Sequence, residues 1–162
     1  FTPFMIEIYT DGAASGNPGP GGYGTILRAG QHYKELSGGF RMTTNNRMEL
    51  LAVIKGLEAL KSPNQEVMVF SDSKYVVDAV EKKWVFGWAS KNFKDKKNKD
   101  LWKRFLELNK LHKVKFTWIK GHNAHPENER CDRLAVYASQ DKQNLAIDTV
   151  FEAERNNKTG LF

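Results

Sequence analysis

Residues 5–40 read MIEIYTDGAASGNPGPGGYGTILRAGQHYKELSGGF, and this stretch decides the fold class. Residues 5–11 alternate apolar and polar side chains, as a strand does, and residues 23–29 and 32–40 fit two further short strands. The five glycines and two prolines of residues 12–22 predict a turn or loop after the first strand. Three successive strands with short connections predict an antiparallel meander.

The hydrophobic period changes in the next segment. Residues 46–61 repeat apolar side chains at helical spacing, and Asn46 with Glu49 fits a capping box at the start of this helix. The remaining predicted elements are two strands, at 66–72 and 113–119, and three helices, at 73–83, about 100–112 and 128–142. Strands separated by helices usually run parallel, so we expect an α/β fold with a mixed sheet covered by helices. Residues 143–162 have weak periodicity and are predicted to be a tail that could include a short helix.

The composition excludes several classes of protein. A chain of 162 residues favours one domain, and 40% hydrophobic with 27% charged residues is not the composition of a disordered, collagen-like or membrane-spanning chain. The first residues do not have the pattern of a signal peptide. The single cysteine, Cys131, excludes an internal disulfide framework and favours a reducing compartment. We therefore expect a cytoplasmic protein without a membrane segment.

A basic segment covers residues 82–104, where nine lysines and arginines stand against two aspartates. Aromatic residues are interleaved with them, among them Trp84, Trp88, Phe93 and Trp102. Lysines can neutralise phosphates and aromatic rings can lie against sugars or bases, so this segment suits a nucleic acid. The alternative is an ordinary amphipathic helix whose tryptophans belong to the core. We expect the three tryptophans to be mostly buried and the lysines to face a ligand.

Four acids stand at predicted element ends that meet at one end of the sheet. Asp11 and Asp72 close two strands, and Glu49 and Asp132 lie in the first turns of two helices. Taken singly, each acid has an ordinary explanation as a turn residue, a helix cap (Asp72 for the following helix) or a partner of a helix dipole. Taken together, four acids at one end of the sheet are unfavourable unless a cation binds. Two carboxylates ~4 Å apart repel by about 4 kcal/mol at an effective dielectric near 20. A hard cation such as Mg²⁺ or Mn²⁺ would relieve this repulsion.

Other kinds of catalytic site find no support in the chain. No cluster of cysteines and histidines supports zinc, because one cysteine cannot build a Cys₂His₂ site, and the chain has no phosphate-binding P-loop and no nucleophile elbow. Cys131 is predicted to be a buried structural thiol. His122 precedes Asp132 by ten residues and could carry protons near neutral pH. Acids that bind metal ions beside a basic, aromatic surface suggest phosphodiester chemistry assisted by two ions.

Four segments resemble the signature motifs of type 1 ribonuclease H, the family of bacterial ribonuclease HI. They are YTDGAASGNPGPGGYG at 9–24, TTNNRMEL at 43–50, FSDSKYV at 70–76 and KGHNAHPENERCDRLA at 120–135. The resemblance implies a ribonuclease H-like fold, a five-stranded mixed sheet with three antiparallel strands and two further strands parallel to the first. It implies a catalytic domain at residues 5–142. Residues 1–4 would be an addition or an alternative start, and residues 143–162 a C-terminal tail.

The resemblance also implies an activity and a catalytic set. The family hydrolyses the RNA strand of RNA–DNA hybrids and leaves 3′-hydroxyl and 5′-phosphate ends. The implied metal ligands are Asp11, Glu49, Asp72 and Asp132, holding Mg²⁺ (with Mn²⁺ as a substitute), two ions to a site. His122 would be the catalytic proton carrier, and His125 is expected to have a structural role. We expect a monomer without an obligate protein partner.

Substrate contacts are implied in the same way. Asn17 and Asn45 match residues that touch the hybrid in the minor groove, and Thr44 matches a residue that helps hold a phosphate of the DNA strand. The basic segment resembles the family's substrate handle, and its expected contacts are Trp84, Trp88, Lys94, Lys96 and Lys97. Lys74 adds positive charge near the site. The chain departs from the pattern at Met42, where relatives carry a basic residue, although Arg41 precedes it.

Three rival functions remain open at this point. The first is a hybrid-binding module without catalysis on the same fold, although a binder has no need of four clustered acids. The second is a metal-dependent DNA nuclease or transposase-like enzyme, against which the TTNN and GNPG segments argue. The third is a structural or interaction protein, for which the sequence offers no positive feature.

Overall fold

The computed structural model describes residues 5–120 and 125–159, and in them six strands form one sheet. The strands, β1 to β6 in chain order, are Ile6–Ala14, Gly19–Ala29, His32–Thr43, Glu66–Ser71, Lys113–Trp118 and Leu145–Ala146. The helices, α1 to α6, are Asn45–Glu58, Lys74–Glu81, Trp84–Ser90, Lys99–Leu111, Pro126–Gln140 and Thr149–Thr159. None of these described helices combines the length and the apolar character that crossing a membrane requires.

The sheet is mixed, with the strand order β5-β4-β1-β2-β3-β6. β1, β2 and β3 form an antiparallel meander, and β4 and β5 run parallel to β1. This confirms the predicted α/β class and the predicted strand directions. The sheet has one strand more than the five expected, because β6 pairs in parallel with Gly39 and Phe40 of β3. A strand of two residues has no measurable period, so no pattern in the sequence indicates it.

The glycine-rich segment is not the long loop that its composition predicts, because β1 extends to Ala14 and β2 begins at Gly19. Glycine is required at two positions of β1 and β2 where the backbone of a helix contacts the backbone of the strand. A Cβ atom at Gly12 would lie 2.4 Å from the backbone nitrogen of Glu49 in α1. A Cβ atom at Gly24 would lie 2.2 Å from the backbone oxygen of Cys131 in α5. These two glycines let α1 and α5 approach opposite faces of the sheet.

Each face of the sheet has its own apolar cluster. On the face of α1, residues of α1, α2 and α4 pack on β1, β4 and β5, and Ile8 and Trp102 are fully buried there. On the face of α5, Tyr9, Ile26 and Cys131 form a smaller cluster. Burial raises the pKa of the Cys131 thiol, which agrees with the predicted structural role.

Hydroxyl side chains begin α1 and α2. Thr44 and Ser73 each accept a hydrogen bond of 3.2 Å from a backbone N–H group in the first turn of the helix that follows. The predicted capping box of Asn46 and Glu49 is therefore wrong, because the cap stands two residues before Asn46. Asp72 is not the cap of α2 either. Both acids, Glu49 and Asp72, are left available for another role.

The three tryptophans of the basic segment differ in burial. Trp102 is fully buried and Trp88 is partly buried against the core, as predicted. The prediction for Trp84 is wrong, since its side chain is 49% exposed. Trp84 begins α3, a helix of seven residues of which only Val85 is buried, so most of this short helix faces solvent.

Arg47 of α1 joins three distant segments at one buried guanidinium. It donates hydrogen bonds of 2.7 and 2.9 Å to Asp148 and of 2.7 and 2.9 Å to Asp100, and one of 3.3 Å to Asn98. The Arg47 side chain is only 3% exposed. Asp148 also accepts a hydrogen bond of 2.7 Å from the Thr43 hydroxyl. The residues after α5 are thus bound to the start of α1 and to the start of α4.

The first prediction concerns this guanidinium. Arg47→Gln should lower the free energy of unfolding by about 3–5 kcal/mol, because it leaves buried carboxylates unpaired. Urea unfolding monitored by circular dichroism measures this loss. Arg104→Gln is the matched control, since Arg104 pairs with Glu58 at 2.9 Å between the same two helices but is exposed. The control should lose less than about 1 kcal/mol, and equal losses in the two variants would contradict the prediction.

Candidate active site

Three carboxylates meet where β1, β4 and α1 come together. Asp11 lies in β1 and Asp72 follows β4, and because these strands are parallel neighbours the two acids lie side by side. Glu49 is in the first turns of α1, which touches β1 at Gly12. Each of the three carboxylates places one oxygen atom within 4.8 Å of the others. We call Asp11, Glu49 and Asp72 the acidic cluster.

The backbone N–H of Gly12 holds two of these carboxylates. It donates a hydrogen bond of 2.6 Å to Glu49 Oε1 and one of 2.8 Å to Asp11 Oδ1. The other carboxylate oxygen of Glu49, Oε2, is buried and has no hydrogen-bond partner in the described part of the chain. Burying such an oxygen without a partner is unfavourable, so its position suits a bound cation.

Burial and mutual repulsion raise the pKa values within the acidic cluster. Burial is the largest cause that raises the pKa of Asp11 to about 7, and the negative charges of Asp72 and Asp132 add to it. Burial, and then the charge of Asp11, raise the pKa of Glu49 well above its ordinary value. Without a cation, the cluster therefore holds protons that three isolated carboxyls would lose.

The donor set of the acidic cluster fits a hard divalent cation. All its candidate ligands are carboxylate oxygens, which Mg²⁺ and Mn²⁺ prefer to nitrogen or sulfur. Asp72 is exposed, so the cluster is reached from solvent. A bound cation would give Glu49 Oε2 a partner and would favour the ionised forms of Asp11 and Glu49. The residues present therefore fit such an ion.

A cleft of about 430 Å³ opens at the acidic cluster and includes Asp132 of α5 in its lining. The Asp132 carboxylate is not among the three that lie within 4.8 Å of one another. Its charge nevertheless reaches Asp11, whose pKa it helps to raise. The four acids singled out from the sequence thus share one cleft, with Asp132 outside the tight cluster.

One of the two predicted histidines also lines the cleft. His125 stands immediately before α5, and its ring meets those of Tyr9 and Phe70 edge-on at 5.7 and 5.3 Å. These contacts agree with the structural role expected for His125. His122 lies outside the described residues.

The predicted substrate contacts near the cleft differ in position. Asn45 and Lys74 line it, and the Lys74 ammonium lies 4.3 Å from the ring centre of Trp118. Asn17 accepts a hydrogen bond of 3.2 Å from the backbone N–H of Asn45, which places it at the rim. Thr44 is the cap of α1 and does not line the cleft.

The basic segment carries a second groove, of about 870 Å³. Its lining includes four predicted contacts, Trp84, Trp88, Lys94 and Lys96. The fifth, Lys97, lines an adjoining groove. The Lys96 ammonium lies 5.0 Å from the Trp88 ring centre, so cation and aromatic surface are presented together, as predicted from their interleaving.

Tyr75 connects the cleft with these grooves and was missed from the sequence. It lines both the cleft and the groove of Lys97. Its hydroxyl accepts hydrogen bonds of 3.0 Å from the Asn98 side chain and 2.8 Å from the Trp102 indole. The available signal was its position three residues after Asp72, which places it in the first turn of α2. Two cleft asparagines, Asn46 and Asn128, were also missed.

Comparison with known proteins identifies relatives over nearly the whole chain. The RNase H family model matches residues 4–140. The chain is 53% identical over 156 residues to ribonuclease H of Rippkaea orientalis, covering 93% of this chain and 94% of that protein. It is 56% identical over 148 residues to ribonuclease H of Desulforamulus reducens, covering 88% and 92%.

Solved structures agree with these relatives. The fold is similar to LC9-RNase H1, a type 1 RNase H with the type 2 active-site motif, with a TM-score of 0.76 at 29% identity over 86% of this chain and 74% of that one. It is also similar to LC11-RNase H1 in complex with RNA/DNA hybrid, with a TM-score of 0.64 at 27% identity over 86% and 100%. The family model includes all four acids, whereas β6 and α6 follow its last matched residue.

The second prediction concerns stability without divalent metal. In EDTA, the free energy of unfolding should fall as pH rises from about 4 to about 7. The ordinary pKa of Asp11 is 3.8 and its folded pKa is about 7, so between these values the folded chain holds a proton that the unfolded chain has lost. Asp72→Asn removes one of the repelling charges and should raise the free energy of unfolding at pH 8 by about 0.5–2 kcal/mol, with a smaller gain at pH 4.

Urea unfolding in EDTA at pH 4, 6 and 8 measures these differences. Asp78→Asn is the matched control, because Asp78 lies on α2, outside the acidic cluster, 3.7 Å from Lys82. This control should be slightly less stable than the unsubstituted chain at pH 8. A loss of stability in Asp72→Asn at pH 8 would contradict the account of repulsion in the acidic cluster.

Proposed function

The chain belongs to the ribonuclease H family, and we propose that the acidic cluster and Asp132 are the site where it hydrolyses the RNA strand of RNA–DNA hybrids. It is a ribonuclease H, an endonuclease that acts on phosphodiester bonds. The convergence of Asp11, Glu49 and Asp72 within 4.8 Å in an open cleft carries the assignment of the site. The products are RNA ends with a 3′-hydroxyl and a 5′-phosphate.

Two Mg²⁺ ions, or Mn²⁺ as a substitute, are the proposed cofactors. Asp11, Glu49 and Asp72 are the proposed ligands, and Asp132 completes the set. The oxygen-only donors and the partnerless Glu49 Oε2 support this choice. When bound, such ions stabilise the charge that develops on the attacked phosphate and on the leaving oxygen.

The chain's own residues prepare the site for this reaction. The Gly12 N–H holds the carboxylates of Glu49 and Asp11 in fixed positions, so they need no rearrangement when substrate enters. In the reaction, a bond forms from a water oxygen to phosphorus and the bond from phosphorus to the 3′ oxygen breaks. The water loses a proton and the 3′ oxygen gains one, so a proton carrier is needed at the cleft. His122 is the proposed carrier, because imidazole exchanges protons near neutral pH.

Recognition of the hybrid is proposed for the rim of the cleft. Asn17 and Asn45, linked by a hydrogen bond, would contact the minor groove, where amide groups can bond base edges and the 2′-hydroxyl. Thr44 would help to hold a phosphate of the DNA strand, and Lys74 would add positive charge at the cleft. Contacts to backbone and groove shape predict little preference for base sequence.

The basic segment is proposed to bind the same duplex beyond the cleft. Trp84, Trp88, Lys94, Lys96 and Lys97 form its contact surface. Tyr75 supports this arrangement, since it lines both the cleft and the groove of Lys97 and anchors Asn98. One duplex can therefore follow a continuous path over both surfaces.

We propose further that the enzyme acts as a monomer in the cytoplasm. The single cysteine, Cys131, is buried, and so does not serve as a disulfide between chains. This usage of cysteine is typical of a reducing compartment.

The third prediction tests the reaction itself. With Mg²⁺, the protein should cleave the RNA strand of an end-labelled RNA–DNA hybrid and leave duplex DNA, duplex RNA and single-stranded RNA intact. EDTA should abolish cleavage. Asp72→Asn should slow cleavage by at least about 10²–10³-fold, the loss typical of removing one electrostatic stabiliser of a transition state. Asp78→Asn again serves as the control and should retain full activity.

Two outcomes would contradict this assignment. Tight binding of the hybrid without cleavage would indicate a hybrid-binding module on the same fold. Cleavage of duplex DNA at a comparable rate would indicate a metal-dependent DNA nuclease.

The fourth prediction concerns the basic segment. Replacing Lys94, Lys96 and Lys97 by Glu should raise KM several-fold with little change in kcat, because these residues bind substrate equally in ground and transition states. The slope of log KM against log salt should flatten by roughly 0.9 for each phosphate that the variant no longer neutralises.

A control with the same change in net charge makes this test specific. Replacing Lys34, Lys61 and Lys113 by Glu alters three exposed lysines at the opposite end of the sheet. The control should change KM little. An unchanged salt slope in the variant of the basic segment would contradict its role as a substrate handle.

A further inference from the structure

Lys74 is the only lysine or arginine among the described residues that line the active-site cleft. It shares this lining with the three carboxyl groups of the acidic cluster and with those of Glu129 and Asp132. An ammonium group in a cleft with several carboxylates is expected to form an ion pair with one of them, because opposite charges attract strongly at short range. Within the described part of the chain, however, Lys74 forms no ion pair. The position of its ammonium group therefore needs another explanation.

The ring of Trp118 provides that explanation. The Lys74 ammonium lies 4.3 Å from the ring centre, well within the range of a cation–π interaction. Trp118 ends β5, and its backbone is paired with that of Ser71 at the end of the neighbouring strand β4. Its side chain is 40% exposed, so it is not a core residue. A large aromatic ring thus stands at the surface beside the strand end that leads into Asp72.

The position of this ring does not depend on Lys74. The Trp118 indole N–H donates a hydrogen bond of 3.3 Å to the backbone oxygen of Asp72. The backbone N–H of Ile119 donates a second bond, of 2.9 Å, to the backbone oxygen of Ser71. The edge of the indole is therefore bound to the segment that carries Asp72, and one face of the ring remains available to the ammonium.

Without this ring, the Lys74 ammonium could reach Asp72. The two residues are two positions apart and line the same cleft, and the lysine stem is long and flexible. The Asp72 side chain is exposed, so its carboxylate is accessible to an ammonium group. An ion pair between them would occupy a carboxylate proposed to bind the divalent cation. The apparent affinity for the cation would then fall, because only the unpaired fraction of the protein could bind it.

We propose that Trp118 is a positioning residue that holds the Lys74 ammonium away from Asp72 and so leaves the acidic cluster free for a divalent cation. This inference deepens the proposed function and rests on it, in that the acidic cluster must be the metal site. The ring attracts the ammonium without neutralising it. The positive charge of Lys74 therefore stays at the cleft, where the anionic substrate enters, and does not compete with the metal ion for its ligands.

The test measures binding of Mn²⁺ alone, with free Mn²⁺ counted by electron paramagnetic resonance. Trp118→Leu should weaken Mn²⁺ binding about two- to fivefold, the factor that corresponds to losing a cation–π contact at an exposed site. Trp118→Phe keeps a ring face but has no N–H group, and it should bind Mn²⁺ nearly as tightly as the unsubstituted chain. Lys74→Met should tighten binding, and adding Trp118→Leu to it should then have little effect.

A second measurement examines the contact in the absence of any metal. In EDTA, the ε-methylene protons of Lys74 should resonate upfield of those of the other lysines in a carbon–proton correlation spectrum, because they lie over an aromatic ring. Lys74→Met identifies the signal by removing it. The upfield shift should be lost in Trp118→Leu and retained in Trp118→Phe. An unshifted Lys74 signal in the unsubstituted chain would overturn the proposal.

A pair of residues away from the cleft supplies the matched controls. Phe86 is an exposed ring whose centre lies 5.9 Å from the Lys83 ammonium, and neither residue lines the cleft. Phe86→Leu removes an exposed ring as Trp118→Leu does, and Lys83→Met removes one positive charge as Lys74→Met does. Both controls should leave the Mn²⁺ affinity nearly unchanged. Controls that shifted the affinity as much as the cleft variants would overturn the proposal.

The remaining outcomes separate this inference from the proposed function. If Trp118→Leu weakens Mn²⁺ binding equally with and without Lys74, or if Trp118→Phe binds as weakly as Trp118→Leu, the tryptophan acts through the Asp72 backbone and the proposal is overturned. If Asp72→Asn reduces Mn²⁺ binding but no change at Trp118 or Lys74 alters it, this inference alone fails. If Asp72→Asn binds Mn²⁺ as tightly as the unsubstituted chain, the proposed metal site fails and the inference fails with it.

Discussion

The backbone of α1 packs on the backbone of β1 at Gly12, and the geometry of the acidic cluster depends on this contact. Any side chain at this position would collide with the start of Glu49, since even a Cβ atom would lie 2.4 Å from its nitrogen. Because the approach is so close, the Gly12 N–H reaches the Glu49 carboxylate directly and holds Asp11 as well. The parallel pairing of β1 with β4 then brings Asp72 to the same point.

The acidic cluster lowers the stability of the fold, but it places the carboxylates in advance where they can bind a cation. Burial and neighbouring charges raise the pKa of both Asp11 and Glu49, so keeping these two carboxyls ionised in the folded chain is unfavourable. The surrounding structure withstands this because α1 is buried along most of its length and is tied at its start by Arg47. A site arranged before its cation arrives needs little rearrangement to bind it, which is the advantage of preorganisation.

Periodicity and the rule of parallel neighbours were enough to predict the meander, the later strands and the meeting of Asp11 with Asp72. They failed where tertiary contacts overrule local patterns. The glycine-rich sequence around Gly12 predicts a loop, yet Gly12 lies within β1. Its lack of a side chain is what allows α1 to pack directly on the strand. The pairing of Arg47 with Asp148 joins residues 101 positions apart, which no local pattern reveals. The predicted substrate contacts of Asn17 and Thr44 rest on resemblance alone, since amide and hydroxyl side chains have many ordinary uses.

The guanidinium of Arg47 also bears on how the chain folds as it is synthesised. Its two carboxylate partners, Asp100 and Asp148, follow 53 and 101 residues later in the chain. Until Asp148 has been synthesised, the guanidinium has only one of its two carboxylate partners, and burying it in that state would be strongly unfavourable. The contacts that secure the native position of α1, the helix that carries Glu49 of the acidic cluster, are therefore complete only once Asp148 has been synthesised, 101 residues after Arg47.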